Sequence, residues 1–329
     1  MNMLLKSITT MANSKIREIP GQDYESDYYV MRKPPLVIFL AQDHPIGTTE
    51  NAKLKAKVTN EESKLFNVDV DIDMKLLDEF FREQCQKPPI VMRLVNRSHD
   101  EIRKRFAKIE GSNYDAFFFI FLSYLCTTER GKQGKLPCIK VECLDSAVPI
   151  EEFMNMIKGR PDMALKPKIF LFQADDRDLL KPWIIKKGKP EDVVFRSVKV
   201  PTDADQLMLL STLPQDLPSL KKSFSEAVPT ASEAGGVVSQ PSGSDEKVVV
   251  KQEPSLLIRA FVEVLKANKD TDVLCCTPLI NGKVDEMIAS LDLEDYRAEK
   301  VQKLQVPLVY STLTKKIKFY GERDFPLGL

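Results

Sequence analysis

Four short segments of this chain place groups capable of acid–base, nucleophilic or metal chemistry directly after apolar runs. They are Gln42-Asp43-His44, Ser123-Tyr124-Leu125-Cys126, Gln173-Ala174-Asp175-Asp176-Arg177 and Ser211-Thr212-Leu213-Pro214. In an open α/β sheet, the carboxyl ends of the strands are where ligands bind. Asp175, Asp176 and Asp178, with Asp43 nearby, are oxygen donors of the kind a Mg²⁺ ion takes, but no acidic pair lies directly on the first strand, and they read as solvated turn acids, with no metal expected. Cys126 offers a thiol, but a thiolate nucleophile needs a base beside it. The chain has two histidines, His44 in a rim loop and His99 at a helix start, and neither is placed to serve Cys126, which reads as a plain loop or buried thiol. No GxGxxG or GxxxxGK[ST] follows a strand and no GxSxG elbow occurs, so no nucleotide or other cofactor is expected. Val250-Lys251-Gln252-Glu253 fits a hydrophobic-Lys-x-Glu modification pattern at Lys251, of a kind that also arises by chance.

The elements that must position these segments alternate between strand and helix. Leu36 to Leu40 is a continuous apolar strand, Ile90 to Val95 is the next strand, Ala116 to Leu122 is apolar enough to be a strand buried on both faces, and Lys168 to Phe172 and Gln206 to Ser211 are two more core strands. A shorter strand-like piece spans Pro137 to Cys143. Helical periodicity runs through residues 69–84 on Val70, Met74, Leu77 and Phe81. Ser98 and Glu101 form a capping box ahead of Ile102, Phe106 and Ile109. Further helices are expected over Ile150 to Ile157, Ser255 to Ala267 and Val284 to Leu291, and closing strands over Val306 to Thr314 and Lys316 to Tyr320. Residues 215–254 are dominated by Pro, Ser, Gly, Ala and Lys and read as a disordered insertion. This pattern predicts a mostly parallel sheet with helices on both faces.

Lys+Arg and Asp+Glu are both 48, which gives no basic excess for a nucleic-acid or anionic-membrane partner. No apolar run is long enough to span a bilayer, and the first residues lack the apolar core of a secretory signal. Six cysteines without CxxC spacing read as the reduced thiols of a cytoplasmic protein.

At the strand ends the chain resembles the caspases. Lys168-Ile169-Phe170-Leu171-Phe172-Gln173-Ala174 is similar to the family's PKxFxxQACRG strand and nucleophile turn, and Phe119 to Leu125 to the strand ending in LSHG. Asp203-Ala204-Asp205-Gln206-Leu207 through Pro214 resembles the "ADfL…ST.PG" of the small subunit. Val68-Asp69-Val70-Asp71 resembles "tDvDa", and Val306 to Tyr320 the closing strand pattern. The resemblance covers residues 28–320 and implies a caspase-hemoglobinase fold around a mostly parallel six-stranded sheet. It implies a flexible tail over 1–27, of the short-prodomain class, a large-subunit-like part at 28–178, a linker at 179–202 and a small-subunit-like part at 203–320, with a second tail at 321–329.

What the resemblance implies for chemistry is a loss. The family's nucleophilic Cys position falls on Asp175 and its His position on Tyr124. A carboxylate is a feeble nucleophile toward amides, and a phenol with a pKa of about 10 is a poor acid–base group at neutral pH. The glycine that gives the oxyanion a backbone N–H is replaced by Leu125. Of the family's two arginines and glutamine for an aspartate side chain, Gln173 is retained, residues 42–66 contain no Arg, and Lys221 aligns with the second arginine without its bidentate fork. Residues 178–202 hold no good acidic cleavage tetrapeptide. The expectation is a pseudoenzyme, similar to the decoy caspases of insects, that binds an active caspase as a heterodimer or itself as a homodimer. Family members pair through the closing strand, which implies Val306, Leu308, Tyr310 and Thr312 as the contact strand. A residual cysteine-type endopeptidase, and a scaffold that binds a non-caspase partner through residues 215–254, are the rival expectations.

Overall fold

The computed structural model describes residues 26–44, 46–47, 51–52, 68–127, 139–176, 204–211, 213, 253–290 and 307–319. Within them, eight strands and five α-helices form two layers of helices around one sheet. The strands are β1 (Leu36–Ala41), β2 (Ile90–Val95), β3 (Phe117–Thr127), β4 (Ile139–Glu142), β5 (Ala147–Pro149), β6 (Lys168–Asp176), β7 (Gln206–Ser211) and β8 (Leu308–Ser311). The helices are α1 (Val68–Gln84), α2 (His99–Ala107), α3 (Ile150–Asn155), α4 (Leu256–Ala267) and α5 (Val273–Ser290).

Six strands follow one path, in the order β2-β1-β3-β6-β7-β8, and β4 and β5 add a small antiparallel ribbon to the far end of β3. All pairs from β2 to β7 are parallel, and only β8 closes the path antiparallel. The expected six-stranded sheet is therefore present, extended by two strands.

Period-two alternation divides the core into two clusters. Val37, Phe39, Phe118, Ile120, Ile169, Leu171, Leu207 and Leu209 face α1, α4 and α5. Leu36, Ile38, Phe119, Phe121, Phe170, Phe172, Met208 and Leu210 face α2 and α3. On that second face the register places Phe119 opposite Phe170 and Phe121 opposite Phe172, and these rings stack with centroids 4.9 and 4.3 Å apart. Such cross-strand aromatic pairs fix register as well as burying area.

Several boundaries differ from those read in the sequence. β3 and β6 do not stop at Leu122 and Phe172 but run to Thr127 and Asp176, because each supplies the other's hydrogen bonds and β4 pairs with β3 beyond Leu125. The last helix begins at Val273 rather than Val284, despite Pro278 in its interior. A proline there cannot donate to the carbonyl of Leu274, four residues back. The Thr277 hydroxyl donates to that carbonyl at 2.8 Å instead, so the helix continues. The closing strand is shorter than expected, Leu308–Ser311, and Lys316 makes an isolated parallel bridge to Tyr28 rather than starting a strand. The insertion at 215–254 lies outside the described residues apart from Glu253 and Pro254, and so does the linker at 179–202.

Candidate functional site

The carboxyl ends of β1, β3 and β6 meet at one end of the sheet. There the parallel register places Tyr124 of β3 directly opposite Asp175 of β6, and Leu125 opposite Asp176. Two residues separated by fifty positions in sequence are thus next-door neighbours in the ladder. Both lie within paired strands, not in the turns where the sequence placed them.

Tyr124 is half-buried, and its hydroxyl donates to the main-chain carbonyl of Asp43 at 2.6 Å. That bond ties the end of β3 to the segment leaving β1. Asp43 is itself fixed from the other side: its carboxylate accepts from Asn96 Nδ2 at 2.7 Å, and its N–H donates to Asn96 Oδ1 at 3.0 Å. Asn96, just past β2, holds φ at 51°, a left-handed conformation that asparagine tolerates better than most residues. The end of β2 is not among the strand ends singled out in the sequence; its signal there is an Asn directly after an apolar strand. Glu142 carries no such local signal. It is buried, its carboxylate accepts the Ile46 N–H at 2.6 Å, and its carbonyl accepts the Ser123 hydroxyl at 2.7 Å.

Leu125 is 3% exposed and belongs to the α2/α3 core cluster. A leucine buried in that way occupies the position where the resemblance puts a glycine beside the oxyanion. Gln173 is fully buried and its amide donates to the carbonyl of Leu213, in the turn after β7. Ser211 Oγ accepts the Leu213 N–H at 3.3 Å and helps hold that turn. Lys221 and Val306 lie outside the described residues, as do Asp178 and Lys251. His44 is half-buried in the loop after β1, and His99 opens α2 behind the Ser98–Glu101 capping box, with its Nε2 3.2 Å from Glu152. His44 directly follows Asp43, whose carbonyl accepts the Tyr124 hydroxyl at the end of β3.

Burial pushes the Cys85 thiol up to about 12, and burial followed by the nearby Asp145, Glu152 and Glu142 carboxylates does the same for Cys143. Burial also raises Cys276. Thiols held protonated in this way are not nucleophiles at neutral pH. Among the described residues, no group of three or more His, Cys, Asp or Glu side chains is arranged to hold a metal ion, and no helix is long and apolar enough to cross a membrane.

At the far side of the sheet, β8 bonds to β7 and ends the strand path. Leu308 is exposed, and Tyr310 is half-buried on the same face, packed against the α2/α3 cluster; Val309 turns to the opposite cluster. Thr312 follows the strand and exchanges two hydrogen bonds with Gln206.

A family model described as the caspase domain matches residues 68–318. A search of curated proteins finds no match. Solved structures with the same fold include one described as pro-Sf-caspase-1, 19% identical, with a TM-score of 0.58 over 94% of this chain and 99% of that one. Another is the crystal structure of caspase-1 from Spodoptera frugiperda, also 19% identical, with a TM-score of 0.53 over 93% of this chain and 98% of that one.

Proposed function

The chain belongs to the caspase domain family, and from that premise we propose that it is a catalytically inactive member, acting in the cytoplasm on an apoptotic pathway by pairing with an active caspase. The observation that carries the reading is the register pair Tyr124–Asp175. The two positions that the resemblance assigns to base and nucleophile sit side by side on the scaffold, and they hold a phenol and a carboxylic acid. Neither supplies the thiolate attack or the proton transfer to a leaving amine that amide cleavage by this family requires. Leu125, buried at the oxyanion position, adds a third lesion.

The scaffold around those positions is intact, which supports a role carried by surfaces. β8 is an edge strand with its outer N–H and C=O groups unpaired by any described strand, and an edge of this kind can add to a partner's sheet. A partner bound there shifts toward whichever conformation the pair favours, so one contact can raise or lower activity. The test is a titration of the full chain against a low, fixed amount of an active caspase from the same organism, read with a fluorogenic Asp-peptide. A silent protein-alone blank with a saturable rise or fall in cleavage supports the pairing and gives its sign. Cleavage in the blank that is lost on heating overturns the inactivity. A silent blank with no effect on the caspase overturns the pairing.

A further inference from the structure

Tyr28 and Tyr29 are adjacent in sequence but face opposite sides of the segment that bridges to Lys316, as successive residues of an extended chain do. Tyr29 is buried, and its hydroxyl donates to Asp205 at 2.5 Å and accepts the Thr314 N–H at 3.1 Å. Tyr28 is half-buried, and among the described residues its hydroxyl has no hydrogen bond. Its backbone is fixed all the same. The Tyr28 N–H donates to Ser26 Oγ at 3.1 Å, and on either side the Tyr29 N–H and the Asp27 carbonyl bond to Lys316.

Two cations close on the Tyr28 ring. Lys316 Nζ is 5.4 Å from the ring centroid and Lys318 Nζ is 4.7 Å from it. Ammonium groups at such distances are drawn to the negative face of an aromatic ring. One lysine accounts for that attraction and covers apolar surface with its stem. The second brings a like charge to the same ring, and neither ammonium has a carboxylate partner among the described residues. A hydroxyl without a hydrogen bond thus stands beside two positive charges without a counter-ion.

We propose that Tyr28 is a phosphorylation site and that Lys316 and Lys318 receive its phosphate. The step is phosphoryl transfer from ATP by a tyrosine kinase. The phenolic oxygen of Tyr28 attacks the γ-phosphorus, the new O–P bond forms as the bond to ADP breaks, and the phenol proton passes to the carboxylate base of the kinase. Phosphotyrosine brings a charge of about −1.5 to −2 and three strong acceptor oxygens to the two ammoniums. The sequence leading to Tyr28 carries Asp23, Glu25 and Asp27, with no Lys or Arg between Arg17 and Arg32, a charge pattern of the kind kinases use to select substrates. Once modified, Tyr28 clamps its segment to Lys316 and Lys318 from outside, while Tyr29 holds the same segment from inside through Asp205. The modification therefore tightens the seal over the amino ends of the sheet. This inference does not depend on the proposed pairing through β8.

The experiment treats the full chain with ATP and a panel of purified tyrosine kinases that accept acidic substrates, and maps the phosphate by mass spectrometry. Phosphate is expected on Tyr28 and not on the buried Tyr29. It should be lost in Tyr28→Phe, which keeps the ring and the wild-type melting temperature because the missing hydroxyl bonds to nothing. Hydrogen exchange then compares the unmodified and phosphorylated chains at the amides of Tyr29 and Lys316, which carry the two main-chain bonds of the bridge. Both amides are expected to slow about fivefold or more, and the slowing should vanish when Lys316→Gln and Lys318→Gln are combined. The proposal is overturned if the folded chain takes no phosphate at Tyr28, if exchange at the two amides is unchanged or faster after phosphorylation, or if the double lysine variant slows as much as the wild type.

Discussion

The two ends of the sheet are built on opposite plans. At the carboxyl ends, β3 and β6 stay paired through their last residues, Tyr124 is bonded to the backbone of Asp43, and Leu125 is buried. At the amino ends, the backbone holds two left-handed residues with side chains, and they border open space. A hydroxyl network spans that end: Tyr29 donates to the Asp205 carboxylate at 2.5 Å, Thr314 Oγ1 donates to the same oxygen, and the Thr314 N–H donates to the Tyr29 hydroxyl at 3.1 Å. The end that carries Tyr124 and Asp175 is closed by ordinary sheet pairing. The other end depends on a few side chains of high individual weight.

The contrast is broken most directly at Asp205. Asp205→Ala removes the acceptor of the buried Tyr29 hydroxyl and of the exposed Thr314 hydroxyl, and the expected cost is about 3 kcal/mol in urea unfolding. A loss under about 1 kcal/mol would mean that the network is decorative.

Next comes a pH test of the closed end. Asp73, in the first turns of α1, is fully buried and accepts from the N–H and hydroxyl of Ser255 at the start of α4. Burial raises its carboxyl to about 6 even against those two bonds, which pull it down. The folded state therefore holds this proton more tightly than the unfolded chain does. The contribution of Asp73 is fully present below about pH 4 and is lost as pH rises to about 6, by about 3 kcal/mol, with no further change above. Asp73→Asn should flatten that segment of the stability–pH curve; an unchanged slope in the variant would assign the titration to another group. Tyr29 gives the open end its counterpart in alkali. Burial first, then its bond to Asp205, push the phenol up to about 12, so its contribution falls as pH rises from about 10 to about 12.

A matched pair of hydroxyl deletions sharpens the comparison at smaller scale. Tyr29→Phe loses a bond to a carboxylate and is expected to cost about 2 kcal/mol, whereas Tyr124→Phe loses a bond to a neutral carbonyl at a half-buried position and should cost about 1 kcal/mol. Equal losses would remove the asymmetry. The smallest effect is expected from placing at positions 124 and 175 the residues that the resemblance implies. Tyr124→His with Asp175→Cys should give no cleavage of an Asp-peptide above the blank while Leu125 stays buried where the resemblance puts a glycine. Turnover by that double variant without Leu125→Gly would show that the leucine is no obstacle.

Much of this was legible in the sequence, for reasons that can be named. The apolar runs of β1 and β7 read as core strands, and both are buried throughout. The Ser98–Glu101 box set the start of α2, where both reciprocal bonds form. What was lost were properties that depend on a neighbour. Ser123, Tyr124 and Cys126 look like a strand's polar end until β4 and β6 pair with them. Pro278 looks like a helix break until Thr277 occupies the carbonyl it frees. The roles of Asn96 and Glu142 come from contacts 53 and 96 residues distant, which no local pattern encodes.

The Tyr28–Lys316 bridge has a consequence for how the molecule is made. Tyr29 N–H donates to the Lys316 carbonyl, and Lys316 N–H to that of Asp27, so the first described segment is stitched to one of the last. A ribosome delivers Tyr29 about 15 to 60 seconds before it delivers Thr314 and Lys316. Once β7 has followed them, β1, β3 and β6 can pair, but the amino ends of the sheet still lack their seal, and β7 lacks its antiparallel neighbour. The nascent chain thus carries an unfinished edge until Lys316 has emerged, and that interval is when a chaperone, or a partner's strand, has its best access.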